Sequence, residues 1–110
     1  MSIHEGHRAR LKRRFWEEGL DNFDEINVLE LLLFYAIPQK DTNPIAHALI
    51  RRFGSLSGVL EAPVNALEQV PGVGKHAATL ISLTTAISRY YMVSRATTAS
   101  ILTTVSQCGD

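Results

Sequence analysis

The chain has 110 residues, 45% of them hydrophobic, which suits one globular domain with a modest core and excludes a disordered chain. Its 11 basic and 11 acidic side chains cancel, which argues against very tight non-specific nucleic-acid binding, because that affinity comes from neutralising phosphates. The longest apolar run, 31–37, falls far short of the roughly 18 residues of a membrane span, the N-terminus carries no secretory pattern, and a single Cys108 forms no internal disulfide; a cytoplasmic protein with no membrane contact is expected.

Every predicted element is a helix. The first covers 8–18, with Leu11, Phe15 and Trp16 as its apolar stripe, and Gly19 ends it as a C′ glycine does. Residues 22–25, Asn-Phe-Asp-Glu, have capping-box spacing. The helix that follows carries Ile26, Leu29, Leu32, Leu33 and Ala36 at a period near 3.6 and stops at Pro38. After the polar loop 39–43, Asn43 and Pro44 read as N-cap and N1 of a helix running to Phe53, with Gly54 ending it. Ser55 caps a short helix over 56–61. Two further helices are predicted at 63–70 and 74–92. The β-branched cluster 101–105 is left without a partner strand.

Charge is segregated beneath the neutral total. Residues 1–16 hold five Arg or Lys against one Glu, and residues 17–30 hold six acids and no base. Residues 71–110 hold only Lys75, Arg89, Arg95 and Asp110.

The most informative stretch is Val70-Pro71-Gly72-Val73-Gly74-Lys75, set between a short and a long apolar helical pattern. Proline cannot continue the first helix, the two glycines open backbone angles closed to other residues, and Val73 can plug between the helices. Amides gathered at a helix start, with the positive end of its dipole, form an anion site. The string is no nucleotide P-loop, since a single residue separates the glycines and His76 follows Lys75. It is no dinucleotide fingerprint, since no strand precedes it. It looks like a helix-hairpin-helix, a sequence-independent DNA-binding element, although a tight αα turn that binds nothing has the same spacing. Ala36-Ile37-Pro38 followed by Ile45-Ala46 echoes Gln69-Val70-Pro71 followed by Ala77-Ala78. The fold class expected is therefore all-α, with tandem helix-hairpin-helix-like units, the first degenerate and the second at 63–92.

His7-Arg8-Ala9-Arg10-Leu11-Lys12-Arg13-Arg14-Phe15, the 29–42 segment from Leu29-Glu30-Leu31 to Lys40-Asp41-Thr42, Phe53-Gly54-Ser55-Leu56 and the Pro71–Gly74 loop together resemble, in order, the N-terminal region of RadC-like proteins, a family labelled as DNA repair proteins. The resemblance spans 4–92. It implies a helix-hairpin-helix domain at 1–93, ahead of a JAB/MPN-type domain with a zinc-binding His-x-His and a downstream Ser and Asp. His4, His7, His47 and His76 include no His-x-His, so that metallohydrolase chemistry is not carried onto these residues. Residues 94–110 read as a linker or the severed start of a further element, and the chain as cut from something longer or as a short paralogue.

Phosphate contact is assigned to Gly72, Val73, Gly74, Lys75 and His76: amides from the loop and a point charge from the lysine. Lys40 and Thr42 in the first hairpin, and Arg8, Arg10 and Lys12 on the first helix, are auxiliary DNA-contact candidates. The opposing reading of that basic run is a solvated face, with Arg13 and Arg14 paired to Glu17 and Glu18. No nucleophile–base pair, paired carboxylates or metal cluster stands out, so no catalysis, cofactor or metal is expected. The function expected is a non-enzymatic, backbone-reading DNA-binding domain with weak, salt-sensitive affinity. The alternative is a protein-interaction or regulatory domain, docking a JAB/MPN domain, another partner or a second copy as a homodimer.

Overall fold

A computed structural model describes residues 3–109, with side chains described for 6–98. The elements are α1 (Ile3–Glu18), α2 (Glu25–Phe34), α3 (Thr42–Phe53), α4 (Leu56–Glu61), α5 (Val64–Leu67) and α6 (Lys75–Gly109). The described residues contain no strand, and the fold is all-α as expected. Positions 101–105 are helical.

α2 is the central strut. It packs on α1 at one side and on α3 and α4 at the other, while α4 and α5 both pack on α6. One continuous core joins Leu29 and Leu33 of α2, Ala46 and Leu49 of α3, Val59 of α4, Leu67 of α5, and Ala77, Ala78 and Ile81 of α6. A smaller cluster of Leu11, Leu31 and Phe34, with Phe23 against it, docks α1 onto the opposite side of α2. α2 is thus buried on two sides, which explains why Leu31 and Phe34 are core residues although they fall off the stripe read from the sequence.

Several element boundaries differ from those expected. α1 begins at Ile3 rather than at residue 8. The reason is polar anchoring: His7 Nε2 lies 3.1 Å from the buried Glu30 carboxylate, and the Arg8 guanidinium donates to the carbonyls of Phe34, Ile37 and Lys40, so the first turns are held to α2. α2 is capped by Asp24, not Asn22; the Asp24 carboxylate accepts from Asn27 N–H at 2.8 Å. α3 is capped by Asp41, not Asn43, with Asn43 N–H donating to its carboxylate at 3.1 Å. Pro44 then sits in the first turn, where a missing N–H leaves no bond unmade. α6 does not end near Met92 but continues to Gly109, since no glycine or proline interrupts residues 75–108.

On α1 the expected stripe narrows to Leu11. Phe15 and Trp16 are exposed. Arg14 stacks over the Phe23 ring and donates to the Asn22 carbonyl, and Glu18 accepts from Asn22, so neither makes the expected arginine–glutamate pair. Ser55 caps α4 as read, its hydroxyl accepting from Gly58 N–H, and Glu25 reaches from the start of α2 to the Leu56 N–H. Gly19 and Gly54 both take positive φ at helix ends, as a C′ glycine does.

Candidate functional site

α5 is a helix of four residues, shorter than the 63–70 helix expected. Tight turns continue it: Gln69 N–H donates to the Ala66 carbonyl and Val70 N–H to the Leu67 carbonyl. Val70 and Val73 are both buried and belong to the main core, and Val73 N–H closes the loop onto the Val70 carbonyl at 3.0 Å. Pro71, Gly72 and Gly74 between and beside them face solvent. The loop is therefore pinned by two valines, with its backbone outward.

The two glycines have different reasons. Gly72 has φ +91°, a region that L side chains rarely adopt. Gly74 has no positive φ, contrary to the expectation that both needed unusual angles. A Cβ there would meet nothing within 4 Å. Its carbonyl accepts from Ala78 N–H, which makes Gly74 the N-cap of α6.

A glycine N-cap has no side chain to accept from the helix's first amides. The N-termini of α2, α3 and α4 are closed by Asp24, Asp41 and Ser55 respectively. That of α6 is left open, beside the exposed side chains of Lys75 and His76. The positive end of a helix of 35 residues thus meets solvent with uncommitted amides and a lysine, and an anion can approach it closely.

The first hairpin loop lies beside this one: a Cβ on Gly72 would reach 3.0 Å from Ile45, in the first turn of α3. Its chemistry differs. The Asp41 carboxylate occupies the start of α3, where it repels a phosphate. Thr42 is buried. The Lys40 side chain is exposed, and its carbonyl receives Arg8.

Of the basic α1 residues, Arg8 is tied to three carbonyls at the end of α2 and lies over the Phe34 ring. Lys12 lies over the Tyr35 ring at 5.0 Å. Arg10 is exposed. Sequence reading missed the structural use of Arg8 and the His7–Glu30 contact; the only hint was an acid, Glu30, set among the leucines of α2. The side chains of His4 and Cys108 lie outside the described residues. Among the described residues no three His, Cys, Asp or Glu side chains gather as a metal site, and no helix is long and apolar enough to cross a membrane.

Over 79 residues the chain is 44% identical to UPF0758 protein FN0909 of Fusobacterium nucleatum, an alignment covering 72% of this chain and 34% of that relative. The chain is a homologue of a UPF0758-family protein, consistent with the RadC-like resemblance. It spans about a third of the length of the curated relative it matches. No family model matches the chain, and no solved structure matches it.

Proposed function

We propose that α5, the loop and α6 act as a helix-hairpin-helix that grips the DNA phosphate backbone without reading bases and without catalysis. The observation that carries this reading is the open start of α6: Gly74 as a side-chain-free N-cap, with Lys75 and His76 exposed beside it. Phosphate contacts of this kind position a protein on nucleic acid and carry no sequence information. Gly72 and Val73 shape the loop, the amides after Gly74 take a phosphate oxygen, and Lys75 adds a point charge. The loop beside Asp41 is closed to anions, so Lys40 and Arg10 serve only as outlying charges, and the role of Thr42 and Arg8 is structural. RadC-like proteins are labelled as DNA repair proteins, and a backbone grip suits that setting.

The test is fluorescence anisotropy with duplex, single-stranded and branched DNA at low and physiological salt, with Lys75→Glu beside the wild type. Salt-sensitive binding that weakens in the variant supports the grip. Binding unchanged in Lys75→Glu places the contact elsewhere.

A second reading, a domain that docks protein, is favoured by one observation: an apolar groove remains open between α1, α2, α4 and α6. The relative's greater length leaves room for a JAB/MPN domain as one such partner.

A further inference from the structure

The hairpin reading leaves an apolar groove of the surface unused. A groove of about 260 Å³ is walled by Phe15, Leu20, Tyr35, Leu56, Leu60 and Thr84, with core leucines of α2 as its floor. Thr84 is its edge on α6. Along the same face of that helix, three, seven and eleven residues on, stand Ile87, Tyr91 and Arg95. Ile87 is 58% exposed and Tyr91 55%. From Ala86 to Thr98 every residue of α6 is exposed, so the helix leaves the globule here and accounts for the molecule's 60 Å long axis. Groove and strip form one apolar line, and a monomer seldom leaves so much of it uncovered.

We propose that the occupant of the groove is α6 of a second copy of this chain, laid antiparallel so that its segment 87–95 fills the groove while the first copy's segment fills the partner's. The geometry selects this arrangement. The strip runs away from its own groove, so only an antiparallel neighbour, crossing near Ile87, returns its own strip over that groove. The contact is then isologous: each copy gives a strip and receives one, and the assembly closes at two.

Charge agrees with this. Glu17, Glu18 and Asp21 are exposed and flank Phe15 and Leu20 in the sequence. The strip carries Arg95 and no acid. Lys12 lies over Tyr35 at one wall of the groove, whereas the Phe15–Leu20 side is acidic, and it is to that side that the strip of a second copy brings Arg95. Area agrees as well. Ile87 and Tyr91 on the strip and Tyr35 at the groove are each more than half exposed, and Phe15 and Leu20 are exposed beside them; covering these five on both copies removes roughly 1,000 Å² in total, the lower bound for a stable specific interface. This inference does not rest on the DNA reading.

The experiment is sedimentation equilibrium of the 110-residue chain across a micromolar concentration series. The expected result is a mass rising to twice that of the chain. Tyr91→Asp on the strip and Leu20→Asp at the groove each weaken association at least tenfold while circular dichroism stays helical, both positions being exposed. A mixture of the two variants associates more tightly than either alone, because the mixed pair keeps one intact strip-and-groove contact. A wild type that stays monomeric overturns the proposal. So does a dimer indifferent to both substitutions, or a mixture no tighter than its components.

Discussion

A Cβ at position 72 would lie 3.0 Å from both Cγ1 and Cδ1 of Ile45, so the second hairpin loop closes against the first turn of the helix that the first hairpin leads into. Gly72 also has φ +91°. Two independent demands fall on one residue: a backbone region that side chains avoid and a neighbour that leaves no room for one. Gly72→Ala is expected to cost about 2–4 kcal/mol in stability, from backbone strain and overpacking together. Adding Ile45→Ala removes the steric part alone, giving a coupling of roughly 0.5–1 kcal/mol in a double-mutant cycle. Thermal and urea unfolding of the four proteins measures both.

Arg8 acts as a clamp. It satisfies the Phe34 carbonyl at the end of α2 and the Ile37 and Lys40 carbonyls of the loop that follows. Arg8→Ala is expected to destabilise the fold by roughly 2 kcal/mol, the scale of losing charged hydrogen bonds to carbonyls. Arg10→Ala, on an exposed position, stays within about 0.5 kcal/mol of wild type. Equal losses from the two, read from urea midpoints, would count against the clamp.

Glu30 is a fully buried acid whose carboxylate is met by His7 and by the Asn27 amide. His7→Ala removes one of those partners and is expected to cost about 1–3 kcal/mol, because a buried carboxylate then lacks part of its hydrogen bonding. Glu30→Gln in the same background lowers the charge to be buried and recovers part of the loss. Unfolding midpoints that move the other way contradict the pairing.

In the proposed grip the loop amides act through hydrogen bonds and Lys75 through its charge. Lys75→Glu is expected to weaken binding uniformly across sequences and to reduce the slope of log affinity against log salt by about 1. Its stability stays close to that of wild type, since the side chain is exposed. Anisotropy titrations over a salt series give affinity and slope together.

Much of this architecture is written locally in the sequence. Gly19, Gly54 and Ser55 terminate or start helices through their own backbone chemistry, and Val70 and Val73 identify themselves as buried by bracketing a glycine loop. What was not legible depended on distant partners. Leu31 and Phe34 lie off the apolar stripe of α2, and they are buried only because α1 folds onto the far side. Arg8 and His7 read as part of a basic run, but α2 and the loop after it offer them carbonyls and an acid 23 to 32 positions away. The loop itself was legible as a loop, whereas the division of labour between its glycines was not. Spacing alone cannot separate Gly72, held by Ile45 and its φ, from Gly74, which serves by having no capping side chain. Likewise the Asp41–Pro44 stretch holds three residues able to cap, Asp41, Thr42 and Asn43, and only the fold selects Asp41.

The most direct measurement is the DNA affinity of Gly74→Asp at low salt, beside its thermal stability. A Cβ at position 74 meets nothing, and aspartate is a good N-cap, so stability is expected to hold or to rise by a few tenths of a kcal/mol. The new carboxylate would take the amides of α6 as Asp41 takes those of α3, and binding to duplex DNA is expected to fall to background. A Gly74→Asp protein that folds normally and binds DNA as the wild type does would contradict the phosphate grip.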